Sequence, residues 1–285
     1  MPACSICNDT TWKSIEVDGV QRVTRCDCVR ESAAQRLLSN ARIPRRYQHC
    51  DFDNYAAYNE QLTSALSYAR RLAERFPIVE KGMFLQGPPG VGKTHLAVAI
   101  LRHVIRESGA RGLFYDTRDL LKVIRSTYNP INQVQEMDVL TPVMTADLLV
   151  LDDLGAEKTS EWVDETLNLI VNARYSDKRL TLFTSNYDDN PDSTDPDSLL
   201  FRIGFRMRSR LHEMCEFYYL DGADYREMPP NGGVDDLITM WKLRNRASRK
   251  PSLPDRTRGQ VRAQIRTREQ DGKGDLKWPG GRAGR

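Results

Sequence analysis

The chain reads as an α/β protein built on a parallel sheet with helices on both faces. Three observations predict this. Short apolar runs alternate with amphipathic helical stretches from residue 59 to residue 221, a glycine-rich phosphate-binding pattern joins one such run to the helix after it, and a later run ends in two carboxylates. Parallel strands covered on both faces appear as continuous apolar runs, unlike the alternation of a half-exposed sheet.

In chain order, residues 31–41 predict a helix stopped by Pro44, and the aromatic stretch RRYQHCDFDNY leads into the main domain, with a boundary near residue 50. Leu62, Ala65, Leu66, Ala69, Leu72 and Ala73 recur at helical spacing within 59–76, with Asn59 or Glu60 near the cap. GMFLQ (82–86) predicts a strand and THLAVAILRHVIRES the next helix. GLFYDT, DLLVLDD and LTLFTSN predict three more strands, separated by helices at RDLLKVIRSTY and SEWVDETLNLIVNARYSD. Short helices around DSLLFRIG and RMRSRLHEM precede a last strand, EFYYLD. VDDLITMWKL forms one further amphipathic candidate, and most of 245–285 has too few core formers to order itself.

At 285 residues, 40% of them hydrophobic, the chain is long enough for about two globular units. It has no apolar stretch of membrane-spanning length and opens on MPACSICNDT rather than a secretory signal, so a cytoplasmic protein without membrane partners is expected. The 42 Lys and Arg against 39 Asp and Glu conceal an asymmetry, because residues 242–285 hold 14 of the former and four of the latter. An acidic body therefore precedes a strongly basic tail.

Gly87-Pro88-Pro89-Gly90-Val91-Gly92-Lys93-Thr94, followed by His95, fits G-x-x-x-x-G-K-[ST] between a strand and a helix. Glycines let successive backbone N–H groups wrap a phosphate, and the helix N-terminus adds its positive dipole end. Lys93 is expected at the β- and γ-phosphates of ATP, and the Thr94 hydroxyl on Mg²⁺. Asp152 and Asp153 end an apolar strand, where ligands bind in open α/β sheets. Asp152 is expected to hold Mg²⁺ through its hydration shell and Asp153 to polarise the attacking water; a plain Asp-Asp turn is the simpler alternative. Asn186 ends another strand and can face the same water, or serve only as a turn residue. Arg206, Arg208 and Arg210 occupy about one helical turn, as an arginine finger for a neighbouring subunit or as a solvated basic face.

Cys4-x2-Cys7 and Cys26-x-Cys28 can supply four thiolates to a tetrahedral Zn²⁺, with reduced free cysteines or a redox pair as alternatives. Trp12, Ile15, Val17, Val20 and Val23 are too little apolar material to fold residues 1–30 unaided, so zinc is expected to supply the folding energy. Cys50 and Cys215 read as small buried hydrophobes.

GPPGVGKTHLA, LLVLDDLGAE, the TSN strand end, RSRL, the preceding RIPRRYQHCDFDNY and the opening cysteine pairs together resemble the DnaC/DnaI/IstB group of AAA+ ATPases, over about residues 3–226. The resemblance implies an AAA+ sheet in which Lys93 and Thr94 are Walker A, Asp152 and Asp153 Walker B, Asn186 sensor 1 and Arg210 the finger. No residue after Asp221 is assigned as sensor 2. It implies ATP hydrolysis, self-association through the ATPase domain, single-stranded DNA binding and, in the DnaC/DnaI branch, loading of a replicative DnaB-type helicase. The alternative is a transposition helper of the IstB kind acting on target DNA. In the segment 117–145, where the group presents residues to single-stranded DNA, Lys122, Arg125 and Tyr128 suit phosphate and base contact by their chemistry, or form a solvated helix face. The expected organisation is a zinc-binding, partner-docking module over 1–50, an AAA+ ATPase over 51–227 and a basic tail over 228–285.

Overall fold

The computed structural model describes residues 4–129, 134–190 and 195–248. The described residues up to Trp241 form one compact unit. The expectation of disorder began at residue 245, but a helix continues to Ser248; residues 249–285 lie outside the described residues. Among the described residues no helix is long and apolar enough to cross a membrane.

The N-terminal segment folds as an antiparallel hairpin of β1 (Trp12–Val17) and β2 (Val20–Arg25). Its two-residue turn, Asp18-Gly19, has φ of 55° and 74°. This left-handed pair is the geometry of a tight hairpin turn, for which Asp-Gly is a strong sequence signal that our reading did not use. Helix α1 (Asp27–Asn40) starts directly after Cys26 and so takes in Cys28, four residues ahead of the predicted start. It ends at Ala41, whose carbonyl accepts the Phe114 N–H at 2.8 Å.

Helix α2 (Glu60–Arg75) begins at Asn59, whose side chain accepts the Leu62 N–H at 2.8 Å, and buries the predicted Leu62, Ala65, Ala69, Leu72 and Ala73. Then follow β3 (Gly82–Gln86), α3 (Lys93–Ser108), β4 (Gly112–Asp116), α4 (Thr117–Ser126), α5 (Glu136–Thr145), β5 (Leu148–Asp152), α6 (Glu161–Ser176), β6 (Leu180–Ser185), α7 (Leu199–Met214), β7 (Cys215–Tyr219) and α8 (Val234–Ser248). The five strands β3–β7 pair in parallel in the order β4-β5-β6-β3-β7. One face is covered by α2 and α3 around Leu62, Leu96 and Ile100, and the other by α4–α7 around Leu120, Ile170 and Leu211.

One feature departs from the sequence reading. Helix α5 was not anticipated, because Pro142 lies inside it. The helix nevertheless buries Val139, Leu140 and Val143, and the guanidinium of fully buried Arg174 supplies a donor to its C-terminal end, reaching the carbonyls of Val143 and Ala146, each at 2.9 Å. The two short helices expected around 197–214 are present as the two halves of α7, separated by the non-helical Gly204 with φ 73° and ψ 163°. Nothing lies within 4 Å of where a Cβ on Gly204 would stand, so conformation rather than crowding favours glycine there.

Candidate nucleotide site

Strand β3 is buried throughout and delivers its C-terminus into the loop 87–92, which opens α3. Gly87 has φ 134°, and a Cβ there would stand 2.1 Å from the Leu220 carbonyl oxygen; Gly92 has φ 95° and would drive a Cβ to 2.9 Å from the Tyr55 ring. Both positions therefore exclude a side chain on conformational and steric grounds. Lys93 Nζ donates to the carbonyls of Gly87 (2.7 Å) and Pro88 (2.8 Å) and to Asn186 Oδ1 (2.7 Å). Burial pulls its pKa down to about 8, against the opposing charges of Asp153 and Asp152. A phosphate placed among these groups would hold the ammonium charged.

The strand order decides the position of Asn186, because β6 lies between β5 and β3. Its amide thus spans the gap between the loop and the acidic strand, accepting from Lys93 on one side and donating to Asp153 Oδ1 at 2.5 Å on the other. Asp152 Oδ1 accepts from Thr94 Oγ1 at 2.8 Å and Thr184 Oγ1 at 2.7 Å. Burial raises its pKa to about 6, and those two hydroxyls counter only part of the shift. Asp153 is held at φ 59°, in the left-handed region that Asp tolerates, with its N–H bonded to Thr184 Oγ1. Burial raises its carboxyl too, while Arg118, 3.4 Å away on α4, pulls it back.

These groups line one cavity of about 670 Å³, whose other walls are the segment before α2 and the chain after β7. His95 Nε2 lies 3.0 Å from the Asp51 carbonyl and 2.9 Å from Asn54 Oδ1, and its ring meets Tyr55 edge-on at 5.4 Å. The Tyr55 hydroxyl is buried without a hydrogen-bond partner among the described residues. Arg226 enters from the far wall, although no residue after Asp221 was assigned a role. Tyr55, Asn54, Arg118 and Arg226 were missed by sequence reasoning. FDNY just ahead of the domain was the available hint for the first two; the arginines carry no local pattern.

With this geometry in view, the comparisons are decisive. The profile of the IstB-like ATP binding proteins matches residues 26–199, more than half of the chain. The chain belongs to this family. As an IstB-like protein it is 32% identical over 170 residues to the replicative helicase loader DnaC of Buchnera aphidicola subsp. Acyrthosiphon pisum, covering 59% of this chain and 69% of that one. Its identity to the Escherichia coli loader of the same name is also 32%, over 53% and 61% of the two chains. A crystal structure of the DnaC helicase loader superposes with a TM-score of 0.56 at 34% identity, over 62% of this chain and 99% of that one. The replication initiator DnaA bound to AMPPCP and single-stranded DNA shares the fold at a TM-score of 0.52 and 18% identity, over 63% and 51%. The AAA+ arrangement expected from the sequence, and the resemblance to the DnaC/DnaI/IstB group, therefore hold.

The remaining candidate residues of this IstB-like chain lie away from its ATP-binding loop. Arg206, Arg208 and Arg210 sit on α7, outside the cavity; Arg208 is paired with Asp189, whereas Arg206 and Arg210 have no ion-pair partner among the described residues. On α4, Lys122 pairs with Asp119 at 2.8 Å, and the Arg125 guanidinium stacks 4.5 Å above the Trp162 ring. The half-exposed Tyr128 donates to Glu136 at 2.8 Å and accepts from Trp162 Nε1 at 3.1 Å. Trp162 thus joins this exposed group unforeseen.

The four N-terminal cysteines converge, with Sγ atoms all within 4.8 Å of one another. Cys4 and Cys26 are 3.8 Å apart, and Cys7 and Cys28 are 3.5 Å apart. Four thiolates around zinc at ~2.3 Å stand about 3.8 Å apart in a tetrahedron, so the cluster has the dimensions of a zinc site. The backbone N–H groups of Cys7 and Ile6 pull the Cys4 thiol down to about 7, whereas the neighbouring Cys7 sulfur pushes the Cys28 thiol up. Trp12, Ile15, Val20 and Val23 remain exposed, so the hairpin has no core beyond its sulfurs.

Proposed function

We infer that this protein hydrolyses ATP and uses the cycle to load a replicative DnaB-type helicase onto single-stranded DNA. The observation that carries the catalytic part is the Asn186 amide, which bridges Lys93 and Asp153 in one cavity. The N–H groups of the 87–92 loop and Lys93 bind the β- and γ-phosphates, and Asn186 orients the attacking water toward the γ-phosphorus. Asp153 accepts that water's proton as the new P–O bond forms and the bond to the leaving ADP oxygen breaks. Thr94 and Asp152, hydrogen-bonded to each other and partly buried, are a hydroxyl and carboxylate pair suited to Mg²⁺ and its water shell. When bound, that ion neutralises charge on the phosphates. His95, Asn54 and Tyr55 close the end of the cavity away from the acids.

The loader part rests on the DnaC relatives together with the cysteine cluster, of which Cys4 and Cys7 precede the family match of 26–199 while Cys26 and Cys28 fall at its start. Cys4, Cys7, Cys26 and Cys28 hold a structural Zn²⁺, and the folded hairpin docks on the helicase. Lys122, Arg125 and Tyr128, joined by Trp162, contact single-stranded DNA, and Arg210 serves the ATP of an adjacent copy. An IstB-like transposition helper is the second reading, favoured by the match to the IstB-like family over residues 26–199. Single-turnover ATP hydrolysis with and without single-stranded DNA tests the catalytic reading. Lys93→Ala should abolish nucleotide binding and Asp153→Asn should abolish turnover but retain binding; wild-type turnover in Asp153→Asn removes that residue from the mechanism.

A further inference from the structure

Beyond the sensor amide, the same short segment makes a second set of bonds that the hydrolytic site does not use. Three residues after Asn186, the largely buried Asp189 carboxylate accepts from Arg208 through Nε and, at 3.0 Å, through Nη2. It also lies 2.9 Å from His212 Nε2. Arg208 and His212 are four residues apart and so share one face of α7. The His212 ring is stacked on Phe217 of β7 at 4.1 Å, and Phe217 on Phe84 of β3 at 4.6 Å. Besides the core packing of Met207 and Leu211, this half of α7 is therefore tied to the loop that carries Asn186 and to the edge of the sheet that carries the phosphate loop.

The break at Gly204 makes this holding consequential. Residues 205–214 form a half-helix joined to 199–203 through a backbone that is not helical. Its orientation is consequently set by side-chain contacts rather than by continuation of the helix. The first half has its own tie to the sensor loop, since the Arg202 guanidinium lies 4.6 Å over the Tyr187 ring and the Leu199 N–H donates to the Asp188 carbonyl at 2.8 Å. Asp189 provides the corresponding tie for the second half. Arg210 lies between Arg208 and His212 in sequence, about 200° around the helix from each, so it projects from the opposite side.

We propose that Asp189 is a positioning residue for hydrolysis in trans: it fixes the half-helix 205–214 to the loop of Asn186, so that the site's γ-phosphate sensor and the arginine offered to the next copy move as one body. This rests on Arg210 acting on a neighbouring copy's ATP. A displacement of about 1 Å in a positioned group costs on the order of 10²-fold in rate, the scale of effect expected when the tie is cut.

Complementation between full-length variants tests this. Asp189→Asn, which keeps shape but loses the charge-assisted pairing, should lower kcat by about 10²-fold and leave KM within about twofold. Mixed with Asp153→Asn, which has a dead site and a correctly held Arg210, it should recover turnover, because the intact site of one chain receives the arginine of the other. Mixed with Arg210→Ala it should remain inactive, because neither chain offers a usable arginine. Recovery with Arg210→Ala instead would mean that Asp189 supports its own chain's site, and the proposal fails; it fails equally if Asp189→Asn alone turns over at the wild-type rate. Arg208→Gln cuts the same tie from the helix side and should complement in the same pattern, which covers the case in which Asp189→Asn does not fold. Arg210→Ala mixed with Asp153→Asn is the separate control: without recovery there, the assignment of Arg210 itself is wrong and the role of Asp189 falls with it.

Discussion

Asn186→Ala gives the sharpest separation between a chemical and an architectural role. The amide makes two charge-assisted hydrogen bonds, one from Lys93 and one to Asp153, each of a kind worth about 1.5–3 kcal/mol. Little of this should appear in stability. Lys93 keeps the Gly87 and Pro88 carbonyls at 2.7 and 2.8 Å, and Asp153 keeps Arg118 at 3.4 Å, so neither charge is stranded. The expected loss is therefore about 1 kcal/mol or less, a fall of about 2–4 °C in melting temperature for a domain of this size. The rate should suffer more, because the amide is aimed where the water and γ-phosphate meet. Loss of one preorganised donor there costs about 10²–10³ in kcat. Nucleotide affinity, followed with a fluorescent ATP analogue, should change by less than about threefold, since the loop N–H groups and Lys93 do the binding. A variant that melts at the wild-type temperature and turns over within threefold of wild type would show Asn186 to be a turn residue only.

Other outcomes follow from single contacts. Arg174→Met removes the donor shared by the Val143, Ala146 and Leu180 carbonyls and should destabilise the domain by about 2–4 kcal/mol in urea unfolding, because each buried acceptor left unpaired costs about 1–3 kcal/mol, offset by relief of a charge whose pKa burial has pulled down to about 9. Chelation of the purified protein should release one zinc per chain, detectable with a chromogenic indicator, and expose residues 4–28 to protease while nucleotide binding persists; retained protease resistance without metal would contradict a metal-supported hairpin. Trp162→Ala should weaken binding of single-stranded DNA by about 1–3 kcal/mol if the ring offers a base-stacking surface, and should also free Arg125. Truncation after Ser248 should flatten the salt dependence of DNA binding by about 0.7 in log-log slope for each phosphate the tail neutralises.

What the sequence made legible divides along the range of the forces involved. The strands and the loop 87–94 are local: continuous apolar runs and a glycine spacing that only a phosphate cradle requires, and each stands where it was expected. Asn186 could be named but not placed, because its neighbours depend on β6 lying between β5 and β3, through pairings of residues 32 and 99 positions apart. Helix α5 was missed because Pro142 argues locally against helix, and the compensating guanidinium of Arg174 comes from 32 residues further on. The hairpin at 12–25 carries a readable local signal in its Asp18-Gly19 turn, whose φ of 55° and 74° fit a tight two-residue hairpin. Arg118 and Arg226 were invisible for the same reason as the clamp on Asp189: each works through partners that only the folded chain brings near.

In the proposed loader function, an ATP-switched chain engages a hexameric replicative helicase through its cysteine-bracketed hairpin. The most direct measurement of this engagement is size-exclusion chromatography with light scattering on the full-length protein mixed with the DnaB-type helicase of the same cell, with ATP, beside a Cys7→Ser/Cys28→Ser variant. The account predicts a stoichiometric complex with the wild-type chain and none with the variant, although the variant still binds nucleotide. Separate elution of helicase and wild-type chain would contradict it.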